Sequence, residues 1–287
     1  MKCRTDFVTN SSSSSYIFRS NDLASFRKQV EEEINRLLTE EYNEACQDND
    51  FVLFQYDQQW YQERFNDEFK WMSDLEPLRE FDNNNITEVY CWYREDIILI
   101  AVLGIDAFMD SPFRTGQLRL CDEFKLGYEE AENYNSNREK MKLDYLKEHI
   151  KDIANRSLTD ECIRRLVGIL ILDHFDKITY SFESGDRDAF SENMMQDMMT
   201  DLAIEYSKDM EHGMSGIGGF MAEFFFAYYE TILKLASEFY GLTAGGVLEK
   251  VMGPCYMHFE EYEWPDLLLE NAVTALPGCV FWCRHMG

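Results

Sequence analysis

The longest apolar stretch of the chain, residues 216–241, constrains the fold more than any other feature of the sequence. At about 100° per residue, its charged side chains fall within roughly 80° of a helical circumference. They are Glu223, Glu230, Lys234 and Glu238. Apolar side chains cover the rest, so the pattern predicts a central helix over 217–240 that is buried on several sides. Because a membrane span needs about 20 residues with almost no charge, the interior charges argue against one.

The composition predicts a folded α+β protein with a large core. The chain has 287 residues, of which 45% are hydrophobic and 15% aromatic, and its five prolines argue against long extended linkers. We expect a mixed sheet with covering helices in the N-terminal half and a helical C-terminal half built on 217–240. The polar segment 128–137 marks the predicted boundary between an α+β domain (1–135) and a mainly helical domain (136–287), which we expect to pack tightly together.

Hydrophobic periodicity predicts the individual elements. After a strand at 15–19, Asn21 or Asp22 is a suitable cap for an amphipathic helix that runs to about Cys46. Residues 87–93 and 96–104 are typical of a strand pair, and the second is apolar on both faces, which favours the centre of a sheet. Further strands are predicted at 51–56, 117–121 and 178–182, and further helices at 57–73, 137–156, 157–175 (opened by a capping box at Ser157 and Asp160) and 186–211.

The net charge of −27 is large and uneven. The acidic excess lies in two separated stretches, residues 31–96 and 178–287. Such a surface repels nucleic acid and anionic membranes and attracts basic proteins, so we expect a basic protein partner, no direct nucleic-acid binding and no membrane association. Aromatic side chains set among carboxylates are typical of a protein-binding surface. The candidate partner-binding residues are Glu31, Glu32, Glu33, Trp60, Tyr61, Tyr262 and Trp264.

The first 18 residues, MKCRTDFVTNSSSSSYIF, carry a recognisable pattern. Met1, Lys2, Arg4 and the run from Phe7 to Ser15 resemble the opening MKxRxxFVTNSSSSSF of a group of uncharacterised bacterial and phage proteins, with Tyr16 in place of the phenylalanine. The resemblance implies a bacterial or phage origin and an intracellular product, and it brings no activity with it. The serine run is compatible with a polar loop between strands 3–8 and 15–19, or with an anion-binding nest beside the basic residues.

The cysteine pattern indicates reduced thiols in the cytoplasm. No apolar signal segment opens the chain, and a chain of this size needs no disulfide to fold. The densest group of potential zinc ligands lies near the C-terminus and comprises Cys255, His258, Cys279, Cys283 and His285. Their spacing matches no zinc finger or ribbon, and buried thiols explain them as well. The sequence therefore favours no metal site and no cofactor.

Weak catalytic candidates lie where an imidazole stands beside carboxylates, at Asp173, His174 and Asp176. General-base or divalent-metal chemistry uses such groups. The same residues are also common at an ordinary solvated helix end. The glycines of 213–219 precede a helix, as in phosphate-binding loops, but no lysine follows them and no strand precedes them. A glycine hinge between two bulky helices is the alternative interpretation.

Two functional hypotheses follow. The first is an acidic, non-enzymatic cytoplasmic interaction protein that binds a basic protein surface, with a role as an inhibitor or nucleic-acid mimic of bacterial or phage origin. The second is a metal-assisted enzyme with an acidic site near 173–188 or a metal site among the C-terminal cysteines and histidines.

Overall fold

Strands from the two ends of the chain and a two-residue strand at 76–77 build one small antiparallel sheet. The computed structural model describes residues 13–47, 75–80, 86, 90, 94–109, 144–146, 158–181, 189–214, 216–260, 273, 276 and 279–286. The strands are β1 (Ser13–Arg19), β2 (Glu76–Pro77), β3 (Cys255–Glu260) and β4 (Val280–Met286). Their order is β2-β3-β1-β4, and every neighbouring pair is antiparallel.

The helices form most of the described structure. They are α1 (Leu23–Gln47), α2 (Arg94–Leu103), α3 (Ile105–Met109), α4 (Asp160–Ser181), α5 (Glu192–Glu211), α6 (Ile217–Ala227), α7 (Tyr229–Ala236) and α8 (Ala244–Met252), with 3₁₀ turns at Leu78–Glu80 and Ser237–Phe239. The protein is therefore α+β with a helical bulk. None of the described helices is both long enough and apolar enough to span a bilayer.

The described sheet differs from the mixed sheet predicted for the N-terminal half, because it is antiparallel and draws on both halves of the chain. Strand β1 supplies the centre of the sheet, but its partners come from the C-terminal half, with Ile17 opposite Met257 on one side and Trp282 on the other. Both pairings join residues far apart in the sequence, which a local hydrophobic pattern cannot encode. The predicted elements at 51–56, 57–73, 117–121 and 128–137 lie outside the described residues.

Helix α1 confirms the prediction made from its cap and periodicity. The Asp22 carboxylate accepts hydrogen bonds from the backbone N–H groups of Ala24 (3.1 Å) and Ser25 (3.2 Å), which satisfies two donors of the first turn. On the inward face, Phe26 and Val30 are buried, and the Phe26 ring packs on Phe18 of β1 at 5.6 Å. The helix therefore covers the sheet, as its amphipathic pattern indicates.

The apolar run at 96–104, predicted to be a strand, is helix α2. Six consecutive residues from Asp96 to Ala101 are buried, so neighbours cover every side of the helix. A short apolar run buried all round has the same sequence pattern as a central strand, and tertiary packing overrides the β preference of isoleucine. Two local signals favour the helix: Glu95 in its first turn, and Gly104 with φ +83° just after its end. Tyr90, in the predicted strand 87–93, is also helical.

Helix α4 is the centre of the core. The seven consecutive residues 166–172 are all buried, and the helix packs against α2, α5, α7 and α8. Its cap is Thr159, whose hydroxyl accepts from the N–H of Cys162 at 3.2 Å, so the predicted capping box two residues earlier is wrong. Helix α4 continues to Ser181, which also corrects the strand predicted at 178–182. Leu146, in the predicted helix 137–156, is helical and buried.

The predicted continuous helix over 217–240 is divided in two at Tyr228. Phe220, Phe224 and Phe225 are fully buried, as predicted, but Phe226 and Leu233 are each 40% exposed. Both lie on the side of the charged stripe, which is therefore wider than the pattern indicated. The stretch lies against α4 and α5 instead of forming the centre of the fold.

Candidate functional site

Asp173, a catalytic candidate from the sequence, is held in a buried polar cluster on α4. One of its carboxylate oxygens lies 2.5 Å from the Arg94 guanidinium at the start of α2, and the other accepts from the Tyr90 hydroxyl at 3.3 Å. The same hydroxyl lies 3.3 Å from the carbonyl oxygen of Ile169. Only 13% of the Asp173 side chain is exposed, so these contacts give the carboxylate a structural task, to fasten α2 to α4.

His174, the second candidate, is buried on the next position of the helix. Its ring meets Tyr206 of α5 edge-on at 6.2 Å between centroids. Burial, followed by the charge of Asp173, raises the pKa of the Tyr206 phenol, which therefore stays protonated at neutral pH. Asp176 is helical, and its side chain lies outside the described part. The cluster thus joins α2 to α4 through the Arg94–Asp173 ion pair and α4 to α5 through the His174–Tyr206 ring contact. Because Arg94 and Tyr90 already occupy its carboxylate, Asp173 is poorly placed to accept a proton from a substrate.

The C-terminal cysteines and histidines lie on the sheet and beside it. The register places His258 and Cys283 opposite Tyr16 on the two sides of β1, and Cys255 lies opposite Arg19, about 10 Å farther along β3. Cys255 and Cys279 are buried free thiols, and burial raises the pKa of Cys255. Among the described side chains, no group of three or more His, Cys, Asp or Glu is arranged to hold a metal ion. The side chains of His258, Cys283 and His285 are not part of that set.

The glutamates predicted to bind a partner lie on α1, where basic residues neutralise two of them. Glu32 pairs with Lys28 at 3.4 Å, and Glu33 pairs with Arg36 at 2.6 Å. The hydrogen bond from Arg36 holds the pKa of Glu33 below its usual value. Glu31 is exposed. The aromatic candidates Trp60, Tyr61, Tyr262 and Trp264 lie outside the described residues.

A second acidic surface, which sequence reasoning missed, lies on α5. Four carboxylates recur at a spacing of four residues and form one row along the helix, which we call the α5 acidic row. The row consists of Asp197, Asp201, Glu205 and Asp209. Asp197 and Asp201 are exposed, whereas Glu205 and Asp209 are partly buried. Within the described part of the chain, Asp197, Asp201 and Asp209 make no ion pair.

The rest of the exposed face of α5 strengthens this acidic character. Glu192 and Glu211 are exposed at its two ends, and the helix carries a single lysine, Lys208. Ile204 is 53% exposed and lies one turn after Asp201. The four-residue spacing of these carboxylates is visible in the sequence. The total charge of residues 178–287 does not show it, because the row becomes apparent only along one face of the helix.

Comparison of the chain with protein-family models, with characterised proteins and with solved structures gives no significant match.

Proposed function

We propose that this protein is a non-enzymatic interaction protein whose α5 acidic row binds a basic protein surface. The observation that carries the proposal is the α5 acidic row itself, in which Asp197, Asp201 and Asp209 make no ion pair within the described residues. We infer that this row is a cost to the stability of α5. Two separate effects give this cost.

The first effect is repulsion within the row. Like charges four residues apart on a helix destabilise it by about 0.2–0.5 kcal/mol per pair, and Asp197 and Asp201 form such a pair with no ion-pair partner among the described residues. On α1, by contrast, the acidic residues Glu32 and Glu33 have basic partners in the same helix. The two helices therefore differ in how their charge is used: on α1 it supports the helix, and on α5 it opposes it.

The second effect is the position of the charges along the helix. Asp209 and Glu211 lie in the last turn of α5, where the negative end of the helix dipole makes a carboxylate unfavourable. A charge arrangement that lowers stability is commonly retained where function requires it. Attraction of a cationic partner supplies such a requirement, because the partner's charges offset both effects on binding.

The chemistry of the row favours a particular kind of partner. Six carboxylates over the 20 residues of α5 correspond to about one per 5 Å of helix axis, against about one per 1.7 Å in duplex DNA. This charge density matches lysine and arginine side chains spread along one helix or groove. It matches a protein surface that binds duplex DNA less well. Ile204 adds an apolar contact within the acidic face. We therefore favour a basic, amphipathic protein segment as the partner, and within this proposal an inhibitor that occupies such a surface is favoured over a nucleic-acid mimic.

Charge reversal on the two helices tests the proposal. The first variant carries Asp197→Lys and Asp201→Lys, and the control carries Glu31→Lys and Glu32→Lys, so both change the net charge equally. The probe is a synthetic 20-residue helical peptide of lysine, alanine and leucine, with binding measured by fluorescence anisotropy at 50 and 300 mM NaCl. We expect the α5 variant to bind at least tenfold more weakly than the parent at low salt, and the α1 variant to lose less than threefold.

High salt reduces the difference, because exposed charges are screened beyond a Debye length of about 8 Å at physiological ionic strength. Equal losses for the two variants would mean that the probe senses only the net charge, and the proposal for α5 would fail. Circular dichroism of each variant confirms that the helices are intact.

A further inference from the structure

An open cleft of about 740 Å³ lies on a different part of the molecule, between the 3₁₀ turn Leu78–Glu80, helix α8 and strand β3. This volume is in the range of clefts that bind small organic molecules. The residues that matter for recognition are Pro77, Arg79, Glu80, Leu242, Glu249 and Tyr256. We call this the Arg79 cleft.

The cleft is built on a rigid base. Glu249 is 16% exposed and accepts hydrogen bonds from the backbone N–H groups of Arg79 and Cys255, which ties the 3₁₀ turn to β3 through α8. Behind them, Gly245 lies so close to the turn that a Cβ atom there would be 2.1 Å from the carbonyl oxygen of Leu78. Functional groups on a base of this kind keep their positions, which lowers the entropy cost of binding.

The charged groups of the cleft differ in how far they are already engaged. The Lys250 ammonium donates to the carbonyl oxygen of Glu238 at 2.8 Å and lies 5.0 Å above the Phe239 ring. The Glu238 carboxylate accepts from Arg164 at 2.8 Å. These two charges are engaged within the protein and are not available to a ligand.

Arg79 and Glu80 are available. The Arg79 side chain is 61% exposed and lies 3.5 Å from Glu80 and 3.9 Å from Glu249, too far for strong hydrogen bonds. Within the described residues, the Arg79 guanidinium and the Tyr256 hydroxyl donate no hydrogen bond. Glu80 is 60% exposed and has Arg79 as its ion-pair partner in that part of the chain. The cleft thus presents an accessible guanidinium and an accessible carboxylate side by side.

We infer that the Arg79 cleft binds a free amino acid with an apolar side chain, or a small molecule with the same zwitterionic head group. The carboxylate of the ligand takes the paired N–H donors of Arg79, the geometry that guanidinium groups favour. The ammonium group binds Glu80. The apolar side chain packs on Pro77, Leu242 and the Tyr256 ring.

The electrostatics favour a zwitterion over either single charge. The net charge of −27 repels a small anion on approach, and a cation bound at Glu80 displaces Arg79 from its ion pair with that carboxylate. A zwitterion has no net charge, and each of its two charged groups finds a partner of opposite sign.

Binding of defined probes to the full chain tests the inference. A thermal-shift screen of the twenty free amino acids at 10 mM is followed by calorimetric titration with L-phenylalanine, N-acetyl-L-phenylalanine and L-phenylalaninamide. We expect an apolar or aromatic amino acid to stabilise the protein, and each derivative, which lacks one of the two charges, to bind at least tenfold more weakly. If no amino acid binds at 10 mM, or if either derivative binds as tightly as the free amino acid, the inference is overturned.

Two variants locate the site. Arg79→Gln and Glu80→Gln change exposed side chains, so the fold is retained, and each is expected to weaken binding at least tenfold. Arg36→Gln, an exposed arginine on α1, is the matched control and is expected to leave binding unchanged. Binding that survives Arg79→Gln refutes this site. The Asp197→Lys, Asp201→Lys protein keeps the cleft intact, so amino-acid binding and peptide binding are independent results.

Discussion

Replacing Asp201 with asparagine is expected to make this protein more stable. The side chain is exposed and lies in the middle of the α5 acidic row, with Asp197 four residues before it and Glu205 four residues after it. Neutralising Asp201 removes its repulsion with Asp197, a gain of about 0.2–0.5 kcal/mol. Asparagine and aspartate have similar shape and helix propensity, so the change isolates the charge.

The gain is measurable by urea or thermal unfolding at low salt. For a chain of this size, 1 kcal/mol corresponds to roughly 2–4 °C in Tm, so we expect a rise of about 0.4–2 °C. In 1 M NaCl the Debye length falls to about 3 Å and the gain should disappear. Glu32→Gln is the control of opposite sign, because it removes the pair with Lys28 and should cost about 0.3–0.5 kcal/mol at low salt.

The prediction fails if Asp201→Asn leaves the stability unchanged or lowers it at low salt. In that case the acidic row does not destabilise α5, and its charges need no functional explanation. A stabilised variant that also binds the basic peptide more weakly is the expected combination.

Three further predictions concern the fold. Gly245→Ala should lower the free energy of unfolding by about 1–3 kcal/mol, because its Cβ would overlap a backbone carbonyl. Gly246→Ala should be neutral or raise the free energy of unfolding by up to about 1 kcal/mol, because its Cβ would lie 3.4 Å from the nearest atom, an ordinary contact. Urea denaturation distinguishes the two variants. Phe225→Asp should unfold the protein, because the side chain is fully buried and an unpaired carboxylate there costs several kcal/mol against a typical stability of about 5–15 kcal/mol; an unshifted melting curve would contradict this. The hydrogen bond from Arg164 lowers the pKa of Glu238 below 4.5, so the ionised carboxylate stabilises the fold above pH 4.5 and this stabilisation is lost as the pH falls further. In melting curves recorded over a series of pH values, Glu238→Gln should therefore reduce the fall of Tm on the acid side.

Local patterns in the sequence were sufficient to predict the helices whose caps and periodicity agree. Asp22 and the inward spacing of Phe26 and Val30 predict α1. The inward methionines of α5 predict that helix, although it begins at Glu192, after the cap Ser191, and not at 186. The acidic character of the chain follows from composition alone. In each case the relevant interaction joins residues within about two turns, so the sequence carries the full signal.

The tertiary structure alone decided the rest. The run at 96–104 has a pattern that a buried helix and a central strand share, and its packing against neighbouring helices makes it helical. Strand β1 lies inside the sheet because strands from the other end of the chain pair with both of its edges. The same limit applies to the candidate sites. The sequence shows Arg79 and Tyr256 as two unrelated residues, and only packing through Glu249 and Gly245 brings them to one cleft. Which residues meet across such distances depends on the packing of the whole core, and periodicity, which extends over a few turns, carries no record of it.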